Sequence, residues 1–379
     1  MRSPAPLKFF DGLLIVLFLF ALFLPLVGSV VTKDGRTSDA EKRELAKFPD
    51  PPTDFGDISP YLRGLEQYYN DHFGLRELLI FRYQREMEKR FHLTGSPLVI
   101  RGEGDWLFYT GDDLLEDFRG NRLLSHRQLE RWVDIQKRRR EWLQQRGIEY
   151  LTFAPPNKQS VYAEHMPARF RQARGPSRLS QLHDLLNHSP LPFYVNIHEP
   201  LLLAKKNEKI YFASDSHWTQ FGAYIAFRKV MAEVQERFPR RRYVLDFAFA
   251  DHPYLFPGGD LAEILMSMGD SSEEVTGLRS RTYCSREYPL PLSLTDVGDK
   301  GYEQPLYKKC AEAELKALFF ADSFIWQIER FFSENFAEVV YLQKPYERQN
   351  VLEVMELFKP DIVIEEKSER NFFNRLSAE

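Results

Sequence analysis

The class of fold is indicated by one segment, Lys316-Ala-Leu-Phe-Phe-Ala-Asp-Ser-Phe-Ile-Trp326. Its first half is a short apolar run typical of a buried strand, and apolar residues at helical spacing follow the turn at Ser323. In open α/β sheets, ligands bind where loops leave the carboxyl ends of strands. A helix N-terminus there offers free backbone N–H groups, so Ser323 is predicted to be either a helix cap or a nucleophile whose own amide can stabilise an oxyanion.

Further short apolar runs on both sides of this stretch alternate with helix-like segments. One such helix is bounded by Ser125 as N-cap, with Gln128 completing a capping box, and by Gly147 just past its end. Strand-like runs occupy Ile148 to Phe153, Phe193 to Ile197, Val339 to Leu342 and Asp361 to Ile364. This alternation predicts an α/β fold with a doubly wound parallel sheet flanked by helices.

A second motif, Ser214-Asp-Ser-His-Trp-Thr-Gln-Phe-Gly-Ala-Tyr224, places an acid and a histidine two residues apart just before a helix. A serine hydroxyl becomes a nucleophile when a base takes its proton, and that base needs a carboxylate to orient it. Asp215, His217 and Ser323 therefore form a predicted catalytic triad. The alternatives for Asp215 and His217 are a surface capping pair or two metal ligands, but no third ligand lies nearby in the sequence, so we expect neither metal nor cofactor.

Composition limits the remaining possibilities. The 379 residues include 43% hydrophobic and 28% charged residues, a composition typical of globular proteins. The net charge of −4 does not indicate nucleic-acid binding, which normally requires a basic surface. The two cysteines, Cys284 and Cys310, have no metal-site spacing. They are predicted either to pair as a disulfide or to stay free.

The N-terminus indicates the compartment. Leu13 to Val31 carries no charge and is long enough to span a bilayer, and Arg2 and Lys8 before it favour a cytoplasmic N-terminus. We expect residues 1–34 to be a membrane anchor, or else a cleaved signal, residues 35–57 a tether and residues 58–379 one catalytic domain. This organisation predicts a single-pass inner-membrane protein with a periplasmic catalytic domain, or a protein secreted to the periplasm.

Several motifs in a fixed order resemble those of a known family, the SGNH-hydrolase-like O-acetyltransferases of the alginate type. The matching stretches are Glu41-Lys-Arg-Glu-Leu-Ala-Lys-Phe-Pro, Asn70-Asp-His-Phe-Gly-Leu-Arg-Glu, Gly104-Asp-Trp-Leu-Phe-Tyr, Pro155-Pro-Asn-Lys, Asp215-Ser-His-Trp-Thr, Gly259-Asp-Leu and Asp322-Ser-Phe. The resemblance implies an SGNH-hydrolase-like fold with Asp215 as orienting acid, His217 as base and Ser323 as acetyl carrier. It also implies a circular permutation, because the acid and base precede the serine. One departure is Ala321, where related motifs carry glycine.

The resemblance further implies an enzyme that moves acetyl groups onto hydroxyls of a secreted bacterial polysaccharide, supplied by a membrane-bound O-acyltransferase. Asn157 is either a second oxyanion donor or a structural turn residue. Trp218 is either a sugar-stacking platform or a core residue. An acetylesterase with the same triad and a non-catalytic polysaccharide-binding scaffold stay open as alternatives.

Overall fold

The computed structural model describes residues 5–31, 37–38, 43–91, 94–265, 271–279, 283–291, 305–344, 346 and 348–373. The chain forms two compact units. The first comprises Met1–Ile100 with Ala262–Met268, and the second comprises Arg101–Leu261 with Gly269–Glu379. The predicted boundary between anchor and tether at residue 34 lies outside the described residues, and the predicted domain division stays a prediction.

The helices and strands are numbered separately along the chain. The helices are α1 (Ala5–Val31), α2 (Ile58–Asp71), α3 (Arg76–Phe91), α4 (Leu114–Phe118), α5 (His126–Gln144), α6 (Lys158–Val161), α7 (Ala168–Arg171), α8 (Arg178–His188), α9 (His198–Ala204), α10 (Gln220–Arg237), α11 (Asp260–Ile264), α12 (Ile325–Phe332) and α13 (Arg348–Phe358). The strands are β1 (Thr37–Ser38), β2 (Arg43–Glu44), β3 (Val99–Arg101), β4 (Leu107–Tyr109), β5 (Glu149–Phe153), β6 (Tyr254–Phe256), β7 (Glu273–Val275), β8 (Arg286–Glu287), β9 (Leu306–Lys309), β10 (Lys316–Phe320), β11 (Glu338–Leu342) and β12 (Ile362–Glu366).

In the first unit, α1 exposes large apolar side chains over residues 10–24. Within the described part of the chain, no helix is both long and apolar enough to cross a bilayer. Helices α2 and α3 are separated by a break in which Leu75, rather than the adjacent Gly74, adopts a positive φ of 67°.

The second unit is built on a six-stranded sheet in the order β5-β12-β10-β11-β9-β8. The first four strands are parallel, and their register pairs Ile362 with Glu149 and Ala317 with Ile362 and Val339. Helices cover both faces. Leu318 and Phe320 pack into a core with residues of α5, α8 and α13, whereas Phe319 faces the other way and its ring centroid lies 4.9 Å from that of Phe332 in α12. The predicted α/β sheet with helices on both sides is therefore present.

Two details of the predicted sheet were wrong. Strands β9 and β8 are antiparallel to their neighbours, because only residues 310–315 join β9 to β10, too few for a parallel crossover connection. The run from Phe193 to Ile197 makes a single bridge, Thr152 to Tyr194, instead of a strand, because the chain turns at Ile197 into α9.

Of the two alternatives predicted for the cysteines, the structure shows the disulfide. Cys284 and Cys310 form a disulfide with Cα atoms 5.1 Å apart. The buried Glu334 accepts hydrogen bonds from the backbone N–H groups of Cys284 (2.8 Å) and Ser285 (3.1 Å). The disulfide and this carboxylate together fix the segment that carries β8 to the edge of the sheet.

Candidate active site

Asp215, His217 and Ser323 meet in one row at the carboxyl end of the parallel sheet. The Nε2 atom of His217 lies 2.7 Å from the Ser323 hydroxyl oxygen, and its Nδ1 atom lies 2.7 Å from Oδ1 of Asp215. Ser323 stands 106 residues from His217 in the chain. The fold thus brings together the three residues that the sequence analysis combined on chemical grounds.

Ser323 occupies the turn between β10 and α12 without acting as a helix cap. Phe324 is the residue that precedes the helix, and the turn is held by Asp322, whose Oδ1 accepts the Phe324 N–H at 3.2 Å. The other carboxylate oxygen of Asp322 accepts hydrogen bonds from Ser368 and Asn371. The Ser323 side chain is therefore free to bond His217, and its own N–H meets no described protein acceptor.

Ala321, where related motifs carry glycine, fits the turn without strain. It is absent from the described residues with positive φ, its N–H donates to the Leu342 carbonyl, and its own carbonyl accepts the Lys367 ammonium at 2.6 Å. A methyl group costs nothing in such an ordinary backbone conformation, because glycine is needed only where φ is positive or space is lacking.

Both oxygens of the Asp215 carboxylate are occupied. Oδ1 accepts the backbone N–H of His217 at 2.8 Å as well as its ring, and Oδ2 accepts the backbone N–H of Asp260 at 2.9 Å. Gly259 passes so close that a Cβ atom there would stand 2.1 Å from Asp215 Oδ2. The acid is thereby fixed in one orientation toward the imidazole.

The charges of this pair stabilise each other. Burial raises the pKa of Asp215, but the hydrogen bond and charge of His217 outweigh it and hold that pKa well below its usual range. Burial lowers the pKa of His217, but the Asp215 hydrogen bond and the charges of Asp215 and Asp260 raise it above its ordinary value of 6.5. An imidazole beside a carboxylate that stays ionised is suited to act as a general base.

Asp260 is a second carboxylate beside the histidine that the sequence analysis did not single out. Its Oδ2 lies 3.6 Å from His217 Nδ1, and its two oxygens accept the Ser216 N–H at 2.6 Å and the Ser216 hydroxyl at 2.5 Å. Burial, followed by the charge of Asp215, raises the pKa of Asp260. Gly259-Asp-Leu is one of the stretches that resemble the family, but the sequence alone assigned no role to Asp260.

Asp260 also corrects the metal argument made from the sequence. Ligand atoms of Asp215, His217 and Asp260 lie within 4.8 Å of one another, so the third ligand that was missing from the local sequence is supplied by the fold. Asp260 comes from a segment distant in sequence, which is why the residues near His217 offered no third ligand, and the absence of a metal stays a prediction. The other ring nitrogen of His217 faces the Ser323 hydroxyl, which favours a catalytic role for this histidine over a role as a metal ligand.

The two accessory residues are placed differently. Asn157 lines a small pocket beside the triad with Tyr109, Lys158, Ser216, Phe324 and Arg370, and its side chain makes no capping hydrogen bond to α6. The side chain is thus available to a ligand, as an oxyanion donor requires. Trp218 is fully buried and donates its indole N–H to the Phe324 carbonyl at 3.0 Å, so the interpretation as a sugar-stacking platform is wrong and it is a core residue.

Arg370 is a further pocket residue without a sequence signal. Its guanidinium carbon lies 5.8 Å from the ring centroid of Phe324 and 5.5 Å from that of Tyr109. Its positive charge helps to lower the pKa of Asp322 and opposes the rise in the pKa of His217. An arginine shortly after β12 carries no signal of function in the sequence, and only the topology brings it to Tyr109 and Phe324.

Residues 99–281 match the family model described as the SGNH hydrolase-like domain of the acetyltransferase AlgX. The chain is 29% identical over 165 residues to the alginate biosynthesis protein AlgX of Azotobacter vinelandii, a match covering 43% of this chain and 31% of that protein. It is 28% identical over 190 residues to the probable alginate O-acetylase AlgJ of Pseudomonas aeruginosa, covering 47% of this chain and 44% of that protein. The matches thus span less than half of either relative.

Two solved structures were also found to be similar. The O-acetyltransferase domain of Pseudomonas putida AlgJ matches with 18% identity and a TM-score of 0.44, covering 73% of this chain and 93% of that domain. Bacillus cereus PatB1 matches with 13% identity and a TM-score of 0.49, covering 74% of this chain and 97% of that structure. The SGNH hydrolase-like domain of the acetyltransferase AlgX is thus the family whose model residues 99–281 match, and the chain is similar in sequence to the alginate proteins AlgX and AlgJ.

Proposed function

We propose that the protein transfers acetyl groups, through an ester on Ser323, to hydroxyl groups of a secreted bacterial polysaccharide. The observation that carries the proposal is the position of the His217 ring, which lies 2.7 Å from the Ser323 hydroxyl on one side and 2.7 Å from the Asp215 carboxylate on the other. This is the relay that activates a serine for acyl transfer.

The chemistry consists of two exchanges at the same atoms. Ser323 Oγ attacks the carbonyl carbon of the acetyl donor while His217 Nε2 takes its proton, and the leaving group departs with that proton. A sugar hydroxyl then gives its proton to His217 and attacks the acetyl ester, and Ser323 regains the proton. Asp215 stabilises the imidazolium formed in each exchange, and the Ser323 N–H and the Asn157 amide are the donors for the oxyanion.

The substrate class rests on relationship. The relatives are named as an alginate biosynthesis protein and a probable alginate O-acetylase, and the acetyl supplier implied by the resemblance is a membrane-bound O-acyltransferase. We propose two partners, a polysaccharide acceptor and a membrane-bound acyltransferase that supplies acetyl groups. We expect no nucleic-acid partner.

The proposal places the catalytic unit in the periplasm, attached to the inner membrane through its N-terminal segment. Two observations support this compartment: the uncharged run from Leu13 to Val31, and the Cys284–Cys310 disulfide, a kind of bond that persists in oxidising compartments. Cell fractionation tests it, since protein recovered from the cytoplasm with both cysteines reduced would contradict the proposal.

The activity is tested with the full chain, an activated acetyl ester as donor and oligosaccharides as acceptor. Mass spectrometry of the sugars, free acetate and the peptide carrying Ser323 follows the acetyl group. We expect an acetyl-Ser323 peptide and acetylated sugar, both absent from Ser323→Ala. The control is Ser180→Ala, a serine in the first turn of α8 that bonds only the local backbone.

Three other outcomes contradict the proposal. Acetate that accumulates without acetylated sugar makes the protein an acetylesterase, since water then replaces the sugar hydroxyl. If Ser323→Ala still turns over the acetyl donor, Ser323 is not the nucleophile and the proposed triad is wrong. Oligosaccharide binding without any acetyl turnover makes the chain a polysaccharide-binding scaffold.

A further inference from the structure

Lys158 is a buried lysine next to the candidate oxyanion donor Asn157. Its side chain is 3% exposed, and its ammonium donates hydrogen bonds to three backbone carbonyls, those of Phe212 (3.1 Å), Ala213 (3.0 Å) and Asp215 (2.6 Å). A lysine ammonium has three N–H donors, so all of them are used on one loop.

These bonds connect two loops of the site. Lys158 begins α6 directly after the loop that leaves β5, whereas residues 212–215 lead into the Asp215-Ser-His217 turn. The Tyr211 hydroxyl adds a parallel connection by donating to the Pro156 carbonyl at 2.5 Å. The loop that presents Asn157 and the loop that presents Asp215 are therefore joined at their bases.

The third of these bonds acts on the acid itself. The carbonyl that accepts the shortest bond belongs to Asp215, whose carboxylate bonds His217. Fixing the carbonyl of Asp215 restricts rotation of its backbone, and the bond from the His217 backbone N–H to Asp215 Oδ1 then limits where the carboxylate can point. Lys158 is thus one backbone step from the contact that orients the imidazole.

The charge environment of Lys158 makes a packing role alone a poor explanation. Burial lowers the pKa of Lys158 to about 8, the carboxylates of Asp215, Asp260 and Glu273 oppose this effect, and Lys209 adds to it. The ammonium forms no ion pair with a described residue, and the rings of Trp106 and Phe108 lie 5.6 and 5.3 Å away. A buried charge is costly, so a methionine would fill this space more stably if packing were the only requirement.

We infer that Lys158 is a positioning residue for the acetyl transfer: by holding the backbone of residues 212–215, it keeps the Asp215 carboxylate on His217 Nδ1 and in register with Asn157. This inference rests on the proposed function, because it assigns Lys158 a task in the same reaction. It predicts that Lys158 acts through Asp215 and never touches the acetyl group.

The test compares Lys158→Met with Lys205→Met in the full chain. Lys205 is a matched control, because its ammonium also bonds a backbone carbonyl (Val161, 2.6 Å) and lies over an aromatic ring (Tyr162, 4.6 Å), but it is bonded to Glu164 and not to the loop of Asp215. The direct measurement is the low-field proton NMR resonance of the His217 Nδ1–H that faces Asp215. The second is the pH profile of Ser323-dependent acetyl release from p-nitrophenyl acetate.

In Lys158→Met, we expect the resonance to shift or disappear and kcat to fall roughly 10- to 100-fold, the usual cost of a misplaced catalytic group. Because the Asp215 contact raises the pKa of His217 whereas burial lowers it, and because Asp260 and Arg370 stay in place, the acidic limb of kcat/KM moves to lower pH. Lys205→Met keeps the resonance and the limb of the unmodified chain.

If Lys158→Met leaves both the His217 Nδ1–H resonance and the acidic limb of kcat/KM unchanged, the inference is wrong, even if the melting temperature of the variant falls. If Lys158→Met does not fold, Lys158→Gln, which keeps one donor group, decides by the same resonance. If the unmodified chain shows no Ser323-dependent turnover, the proposed function fails, but the resonance still decides whether Lys158 places Asp215.

Discussion

In the proposed reaction, His217 sets the pH range of activity, because only its neutral imidazole can take the proton of Ser323. Burial lowers the pKa of this imidazole, but its contact with Asp215 raises it above 6.5. We predict that kcat/KM falls on the acidic side with a midpoint above pH 6.5. Asp215→Asn should move that midpoint to lower pH and reduce kcat on the order of 10⁴-fold, as loss of the orienting acid does in serine proteases.

Rate profiles between pH 5 and 9 check this prediction. Asp246→Asn is the control, since Asp246 forms an exposed ion pair with Arg228. If the midpoint does not move in Asp215→Asn, Asp215 does not set the pKa of His217, and Asp260 is then the carboxylate that acts on this histidine.

Gly259 supports the acid from behind. A Cβ atom at this position would stand 2.1 Å from Asp215 Oδ2 and 2.2 Å from its Cβ, closer than any real contact, so Gly259→Ala must displace the carboxylate. We predict a loss of roughly 100-fold in kcat. Gly277→Ala is the control, because its Cβ would crowd the exposed Tyr254 ring, which can move aside, and would meet Gln220 Oε1 only at an ordinary contact distance of 3.7 Å. Equal activity in the two variants would contradict the prediction.

Among the elements, helix α5 is predicted from local rules alone. The Ser125 hydroxyl accepts the Gln128 N–H at 3.3 Å, and the Gln128 side chain accepts the Ser125 N–H at 2.9 Å, which is the predicted capping box. Ser125→Ala should lower the free energy of unfolding by about 1 kcal/mol. Urea denaturation measures this loss, Ser125→Thr should retain most of the stability, and acetyl turnover should be unchanged in both.

Local patterns predicted the parts of the fold that depend on neighbours in the chain. Gly147 has the positive φ of 74° expected just past a helix, and Thr219 caps α10 by accepting the Gly222 N–H at 3.2 Å. The meeting of Asp215, His217 and Ser323 could be predicted because serine, histidine and aspartate need each other chemically, although Ser323 is distant in sequence. The circular permutation stays a prediction.

Contacts between distant segments could not be predicted in this way. Asp260 and Arg370 reach His217 only through the topology of the sheet, and the burial of Trp218 depends on a carbonyl of Phe324, 106 residues away. The antiparallel β9 was missed because strand direction depends on which strand becomes its neighbour. A four-residue run with a single buried position carries no signal of direction.

At the scale of the whole molecule, the disulfide is a separable contribution to stability. It joins residues 26 apart, and cross-linking a loop of this length stabilises a protein by about 3 kcal/mol. We predict that a reductant lowers the urea midpoint of the full chain accordingly. The double variant Cys284→Ser with Cys310→Ser should be insensitive to reductant, because the chain has no other cysteine. An unchanged midpoint on reduction contradicts the prediction.

The pairing of β5 with β12 affects how the protein must be made. The two strands are joined by the Tyr150 hydroxyl on the Glu365 carboxylate, 215 residues further along. The chain leaves the ribosome N-terminus first, so β5 keeps an unpaired edge until β12 has emerged. Such long-range pairing folds slowly. A nascent chain stalled before residue 362 would hold Asp215, His217 and Ser323 and still lack the strand that joins β5 to the rest of the sheet. We therefore expect it to depend on chaperones until β12 has been made.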